Sequence, residues 1–139
     1  MKKMNINYIV TLILLIFFMS VQSNAEKLSL STFMWEKRLV ILAINNSDLS
    51  FLEKTQQFIN NNLCEFKDRN LKFIPYQNSI NKDYQTPTYI KNQYGFWLVG
   101  YDGHVKLHSK ELSFLNMFFE EIDTMPMRKD EMSASQKNC

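Results

Sequence analysis

The feature that constrains the fold most is a strand without polar alternation. The run opens at Arg38 and is then apolar from Leu39 to Ile44. A continuous apolar run predicts a strand buried on both faces of a parallel sheet, because a strand with one wet face would alternate. A polar turn at 45–48, a helical pattern and a second strand at 71–76 follow. The sequence therefore predicts one β-α-β unit with a right-handed crossover.

The crossover segment has the periodicity of a helix. The side chains that recur at this spacing are predicted to share one buried stripe: Phe51, Leu52, Thr55, Ile59, Leu63 and Phe66. Cys64 falls on the opposite, polar side, near the predicted end of the helix. Pro75 has no backbone N–H to donate, so the ladder of the second strand is predicted to end there.

The second half of the chain is predicted to add a short helix, a β-hairpin and a final helix. The signals, in order, are Thr86-Pro87 as helix start, Gly95 as its end, an apolar strand at 96–100, Asp102-Gly103 in the hairpin turn, and an apolar stripe from about Lys110 to Asp123. This order of elements is that of an α/β, thioredoxin-like fold, in which a four-stranded mixed sheet is flanked by helices.

The first 25 residues have the pattern of a signal peptide. Lysines give a positive start, Ile9 to Met19 is apolar apart from Thr11, and Ser23-Asn24-Ala25 supplies small residues at a cleavage site. The run is shorter than the roughly 20 apolar residues that span a bilayer. We expect residues 1–25 to be removed, 26–132 to form the domain and 133–139 to be a flexible tail. We therefore expect an exported, periplasmic protein with no stable membrane span after cleavage.

The charge of the mature chain argues against two classes of partner. The chain has 16 basic and 14 acidic residues, so removal of Lys2 and Lys3 leaves 14 of each and a formal charge of zero. No run of like charges stands out. The sequence therefore predicts no nucleic-acid partner and no binding to an anionic membrane surface.

The thiols are in the wrong places for a redox enzyme of this fold. Such an enzyme needs a cysteine at the start of the first helix, where the helix dipole lowers the thiol pKa, but Asn45 to Asp48 stand there. Tyr94-Gly95 replaces the proline expected before the third strand. Cys64 and Cys139 are the chain's two cysteines, and in an oxidising compartment they could form a disulfide or remain unpaired.

Other polar side chains give no chemical site. His104 and His108 lie four residues apart on a predicted strand, about 13 Å, which is too far for two ligands of one ion. Glu120-Glu121 and Asp123 have no predicted nucleophile or carboxylate opposite them, so a solvated helix flank is favoured. The sequence therefore predicts no metal, no cofactor and no catalytic residue.

The arginines carry a sharper signal. After residue 25 the chain has eleven lysines but only three arginines, Arg38, Arg69 and Arg128. A chain that otherwise uses lysine can place arginine where the planar, bidentate guanidinium is needed. We expect at least one of the three to form a structural ion pair, against the alternative of three ordinary surface charges.

Three segments resemble a known family. They are Trp35-x-x-Arg38, the stretch from Leu98 to Ser109, and the stretch from Ile122 to Met132. Together they resemble the bacterial family catalogued as domain of unknown function 4174, which is similar to the DUDES domains of eukaryotic extracellular proteins and is regarded as thioredoxin- or peroxiredoxin-like. The family usually has Gly-Lys-Asp-Gly-Gly where this chain has Gly100 to His104.

The resemblance implies a thioredoxin-like fold and export, but no established activity. The positions that carry it are Trp35, Arg38, Arg69, Gly100, Asp102, Gly103, Lys106, Asp123, Met125, Pro126, Met127 and Arg128.

The last of the three segments has two interpretations. Pro126 should end the final helix near Asp123 or Thr124. Met125 and Met127 could then fill gaps beneath the turn while Arg128 compensates Asp123, which makes the segment a latch for the helix. The alternative is that Arg128 and Asp102 face a shared cleft and bind an anion or a peptide.

Two classes of function remain open. The sequence favours a non-catalytic exported module that binds an unknown protein or small ligand, because the active-site turn lacks a thiol. The alternative is a thiol or peroxide oxidoreductase of the peroxiredoxin-like type, as the resemblance would suggest.

Overall fold

A computed structural model describes residues 26–134 of the chain. The predicted signal peptide, residues 1–25, lies outside the described residues, and so do residues 135–139 of the predicted tail, including Cys139.

A four-stranded mixed sheet forms the centre of the domain. Its strands are β1 (Arg38–Ile44), β2 (Leu71–Gln77), β3 (Gly95–Val99) and β4 (Val105–Ser109), in the order β2-β1-β3-β4. β1 is parallel to β2 and antiparallel to β3, and β3 is antiparallel to β4. All seven residues of β1 are buried, as its continuous apolar run predicted.

Within residues 26–134, four α-helices and two short 3₁₀ helices flank the sheet. The α-helices are α1 (Leu49–Asn61), α2 (Leu63–Asp68), α3 (Phe114–Thr124) and α4 (Pro126–Ala134), and the 3₁₀ helices span Leu30–Phe33 and Thr88–Ile90. The predicted α/β architecture, a four-stranded mixed sheet flanked by helices, is confirmed.

Alternate residues of β1 feed two separate cores. Val40, Leu42 and Ile44 pack in one cluster with side chains of α1, α2 and α3. Leu39 and Ile41 pack in the other with residues of the 3₁₀ segments. The α-helical cover is thus concentrated on one face of the sheet, whereas single turns and loops close the other.

The crossover helix breaks where periodicity predicted continuity. Asn62 leaves helical geometry with φ −125° and ψ 31°, and α2 restarts the phase one residue later. Leu63 is therefore 61% exposed instead of lying on the buried stripe. Cys64, predicted near the end of one long helix, is instead the second residue of a new short one.

The prediction that Pro75 ends its ladder is wrong. Pairing with β1 continues through Pro75 and Tyr76 to Gln77. β2 is an edge strand, and the carbonyl of Pro75 faces away from β1, accepting a hydrogen bond from the Asn81 side chain at 2.7 Å. At an outward-facing position the missing N–H removes no bond to the neighbouring strand.

Two predicted helix starts are also displaced. The helix predicted from Thr86-Pro87 is a single turn, and the Thr86 hydroxyl donates to the carbonyl of Ser79 at 2.6 Å instead of capping it. The final helix begins at Phe114, four residues after the predicted start at Lys110.

The end of the helix predicted to be the last one was predicted correctly, but the helix that follows it was not predicted. α3 ends at Thr124, and Met125 is extended with φ −67° and ψ 139°, as expected before a proline. Pro126 then opens α4, a position where its missing N–H costs nothing. α4 runs to Ala134, two residues past the predicted end of the domain at residue 132.

Candidate functional site

The three arginines that the sequence marked as candidates for structural ion pairs are all buried. Arg38 is 1%, Arg69 8% and Arg128 2% exposed. They come from the start of β1, the loop between α2 and β2, and α4. Each forms ion pairs, as the sequence predicted for at least one of them.

Asp123 bridges two of these arginines. Arg69 Nε lies 2.9 Å from Asp123 Oδ1 and Nη2 lies 2.6 Å from Oδ2, a bidentate pair. Arg128 Nε donates to the same Oδ1 at 3.1 Å. Arg128 also donates to the backbone carbonyl of Asp68 at 2.8 Å and to its carboxylate. The contact predicted between Arg128 and Asp123 is therefore present.

Glu131 joins Arg38, the third arginine, to Arg128. Arg38 Nη1 and Nη2 each lie 3.1 Å from a carboxylate oxygen of Glu131. Arg128 Nη1 lies 3.4 Å from Glu131 Oε2. The guanidinium of Arg38 also stacks 4.0 Å above the ring of Tyr101. We call the three arginines with Asp68, Asp123 and Glu131 the arginine network.

The electrostatics of the network fit a structural role. Burial alone would raise the pKa of Asp123, but hydrogen bonds from Arg69 and Arg128 outweigh it and hold that pKa below its ordinary value. Burial likewise raises the pKa of Tyr101. Among the described residues no buried side-chain polar atom lacks a hydrogen-bond partner. A fully satisfied network fixes its elements relative to one another.

A groove of about 510 Å³ opens beside the arginine network. The turn before β1, the β3–β4 hairpin and the α3–α4 corner supply its walls. Its larger apolar side chains are Trp35, Tyr101, Met125 and Met127. Arg38 lies at its base, 1% exposed. We call this the Trp35 groove.

Trp35 is the most unusual residue of the groove. It is 65% exposed, although tryptophan is a residue that proteins usually cover. Its backbone is left-handed, with φ 65°, a conformation that costs a bulky residue roughly 1–3 kcal/mol. Its N–H donates to the carbonyl of Tyr101 at 2.8 Å, and this bond ties the strained turn to the hairpin.

The hairpin presents a closed ion pair to the groove. Lys106 Nζ lies 2.6 Å from Asp102 Oδ2, and this hydrogen bond lowers the pKa of Asp102. Gly100 makes the arrangement possible, because a Cβ there would come within 2.6 Å of Lys106 Cε and 2.9 Å of Asp102 Oδ1. Glu121, from the last turn of α3, also lines the groove and has no ion pair within residues 26–134.

The three segments that carry the family resemblance meet at this groove. Of the twelve positions that carry the resemblance, eight line the groove: Trp35, Arg38, Gly100, Asp102, Lys106, Met125, Pro126 and Met127. Arg69, Asp123 and Arg128 belong to the arginine network instead. Gly103 lies outside the groove, with Met34 about 3.1 Å from the place its Cβ would take.

Both interpretations of the last segment need correction. Met127 was predicted to fill a gap but is 44% exposed, because it lies in the first turn of α4 on the groove side. Met125 is partly buried against the helical core. Arg128 was predicted, on the alternative, to face a cleft with Asp102, but it is 2% exposed and committed to the network. Of these two residues, only Asp102 lines the groove.

The two histidines and Cys64 do not line the groove. His104 is 80% exposed with Nδ1 3.5 Å from Asp102 Oδ2, while His108 stacks on Trp97 with 4.4 Å between ring centroids. Within residues 26–134 no three His, Cys, Asp or Glu side chains are grouped so as to hold a metal ion. Cys64 is not a free thiol. Pairing with Cys139 was one of the two alternatives that the sequence left open, and Cys139 lies outside the described residues.

Three contributors were missed by the sequence reasoning. Tyr101 lies inside a resembling segment, but its apolar ring gave no polar signal. Glu131 follows Arg128 at helical i, i+3 spacing, a signal that needed α4 to be predicted. Asp68 is paired with Arg128 across 60 positions, a distance that no local pattern spans.

None of the helices in residues 26–134 combines the length and the apolar composition that crossing a bilayer requires.

The fold and the groove define a small mixed α/β domain with one strongly marked surface at one end of its sheet. The chain belongs to the family of the domain of unknown function (DUF4174), whose model matches residues 29–131. Searches of curated proteins and of solved structures found no match.

Proposed function

We propose that this protein is a non-catalytic exported module that binds a partner through the Trp35 groove. The observation that carries the proposal is Trp35 itself, an exposed aromatic side chain held in a strained left-handed turn at the mouth of the groove. Strain of this kind persists only where the surroundings impose it, and it is concentrated at binding and catalytic sites.

The chemistry of the groove supports binding by apolar contact. Trp35 and Met127 expose 65% and 44% of their surface beside Tyr101 and Met125. Aromatic and methionine side chains are enriched at protein interfaces, where they bury large area with adaptable shape. The two cations that line the groove in residues 26–134 are already paired, Arg38 with Glu131 and Lys106 with Asp102, so neither is free to bind an anion.

The position of the groove speaks against the oxidoreductase alternative. The turn where a redox thiol would stand, residues 45–48, follows the C-terminal end of β1. The groove lies at Arg38, the other end of this strand, about 20 Å away for a seven-residue strand. We expect the purified protein to show no peroxide or disulfide reductase activity above that of Cys64→Ser. Turnover that disappears in Cys64→Ser would revive the enzyme.

Export and ancestry belong to the same proposal. Residues 1–25 have the pattern of a signal peptide, and we propose cleavage before Glu26 and a periplasmic location. The strand order β2-β1-β3-β4 and the β-α-β start support a thioredoxin-like relation. Mass spectrometry of the exported protein should give an N-terminus at Glu26, and a retained Met1 would contradict export by cleavage.

Selection from a random peptide library tests the binding proposal directly. The purified protein is immobilised, bound peptides are selected, and selected peptides are synthesised and titrated against variants. Trp35→Ala and Met127→Ala should lose affinity. Met117→Ala is the matched control, because Met117 is 65% exposed but does not line the groove. Peptides that bind wild type and both groove variants equally well would refute a role for the groove.

A further inference from the structure

We infer that the occupant of the Trp35 groove is an extended polypeptide segment with a cationic side chain, whose head group pairs with Glu121 while its stem packs on Trp35 and Met127. This inference rests on the proposed binding function and adds the chemistry of the partner.

The charge of the groove lining is the first step. Four charged residues line it, two of each sign: Arg38, Lys106, Asp102 and Glu121. Arg38 and Lys106 already have carboxylate partners in Glu131 and Asp102. Glu121 makes no ion pair in the part of the chain that the structure describes. Among residues 26–134 the groove lining therefore offers one free negative charge and no free positive one, which favours a cationic ligand over an anionic one.

The apolar wall is the second step. An arginine or lysine side chain is an apolar stem with a charged head, so it can cover apolar surface while the head stays at a polar rim. A cation is attracted to the face of an exposed indole, and tryptophan is the best aromatic partner for such a contact. The groove already holds one such stack, since the Arg38 guanidinium lies 4.0 Å above the Tyr101 ring. Trp35 and Glu121 provide the parts for a second.

The neighbouring sheet edge is the third step, and it favours a polypeptide over a free small cation. β4 is the edge strand next to β3, and within residues 26–134 no further strand pairs with its outer side. Lys106 of β4 lines the groove, so the groove adjoins this edge strand. A peptide can add to such an edge through main-chain hydrogen bonds while a side chain enters the adjoining pocket.

A pair of peptides differing by one charge tests the inference. Two blocked peptides of alternating valine and threonine, about six residues long, are identical except for one central residue. That residue is arginine in one peptide and its neutral isostere citrulline in the other. Binding to wild type and to every variant is measured by isothermal titration calorimetry. In the proteins that keep Trp35, the ¹H–¹⁵N signal of its indole locates the bound peptide, with the buried Trp97 indole as internal reference.

The arginine peptide should bind wild type about fivefold more tightly than the citrulline peptide. Glu121→Gln should remove this preference, because glutamine keeps the shape but not the charge. Glu120→Gln should retain it, since Glu120 is an exposed neighbour that does not line the groove.

The contrary outcomes separate this inference from the binding function. Equal affinity for the two peptides in wild type, with both lost in Trp35→Ala, would overturn the cationic ligand while supporting the groove. A preference that survives Glu121→Gln would also overturn the assignment. Arginine amide, added as a third ligand, would overturn the polypeptide if it bound as tightly as the arginine peptide. Absence of binding by either peptide would overturn the inference, whereas the library selection tests the groove independently.

Discussion

Guanidinium groups hold this domain together at points where an ammonium group would leave acceptors unfilled. Arg69 and Arg38 each grip one carboxylate with two nitrogens, and Arg128 reaches Asp68 and Asp123 at once. A lysine presents a single compact charge and cannot reproduce these forks. The choice of arginine at three positions among eleven lysines after residue 25 thus has a geometric cause.

Arg128→Lys should therefore cost more than a surface change. Lysine keeps the charge in a 3% exposed side-chain site but cannot contact both Asp123 and the Asp68 carbonyl, so we expect a loss of about 2 kcal/mol in the free energy of unfolding. Urea titration measures it. Lys129→Arg, on the next and exposed position, should stay within about 0.5 kcal/mol. Equal midpoints for Arg128→Lys and wild type would mean that the network does not stabilise the fold.

Strain at Trp35 can be separated from its contacts by comparing two replacements. Glycine adopts a φ of 65° freely, but alanine does not, so Trp35→Gly should be about 1 kcal/mol more stable than Trp35→Ala. Both should lose binding, because both lack the indole. At the exposed helical position Lys54 the order should reverse, with alanine about 1 kcal/mol better. If alanine is also the more stable residue at position 35, the turn is not strained.

At the scale of the elements, the corner between α3 and α4 contributes both to the arginine network and to the Trp35 groove. Its extended Met125 and helix-opening Pro126 turn the chain so that Arg128 reaches into the network while Met127 points into the groove. The same corner therefore supports the fold with one set of side chains and offers a binding wall with another.

The two methionines of this corner should respond differently to truncation. Met125 packs against the helical core, so Met125→Ala should lower the free energy of unfolding by about 2 kcal/mol. Met127 is 44% exposed, so Met127→Ala should cost no more than about 0.5 kcal/mol but weaken peptide binding. Chemical denaturation and peptide titration on the same samples distinguish the two effects. A large loss of stability in Met127→Ala would restore the gap-filling interpretation of this residue.

Elements with a strong local signal could be predicted from the sequence, while features set by tertiary contacts could not. β1 was predicted at its observed bounds because its short apolar run has no polar alternation, which is typical of a strand buried on both faces. The break at Asn62 was missed because Leu63 continues the helical period. α4 was missed because Pro126 was interpreted only as a stop, although the same residue can open a helix. Trp35 and Met127 line the same groove, and no periodicity relates positions so far apart in the sequence.

Across the whole molecule, the arginine network joins elements that lie far apart in the sequence. Arg38 connects β1 to α4, and Arg69 connects the loop before β2 to α3. Arg128 connects α4 to Asp68 at the end of α2. The Trp35 groove lies beside the arginine network at the same end of the sheet, and Arg38 belongs to both. Its walls are therefore fixed in place, which lowers the entropic cost of binding a partner.

Acidification should weaken the arginine network, because the pKa of Asp123 is lowered in the folded protein. Its pKa is lower in the folded protein than the ordinary value of about 3.9, so the unfolded chain binds more protons between the two values. The stabilisation is therefore fully present above about pH 4 and is lost as the pH falls through the folded pKa. Thermal unfolding between pH 2 and pH 7 should show a steep fall for wild type below about pH 4.

Asp123→Asn should be less stable than wild type at pH 7 by about 3 kcal/mol, because Arg69 and Arg128 lose a shared carboxylate. The same variant should lose less further stability in acid, since it no longer has the group whose protonation breaks the arginine network. The fall should be reduced and not abolished, because Lys106 also lowers the pKa of Asp102. Asp130→Asn, a change on the exposed side of α4, should keep the wild-type profile. Parallel profiles for Asp123→Asn and wild type would show that the arginine network does not govern acid stability.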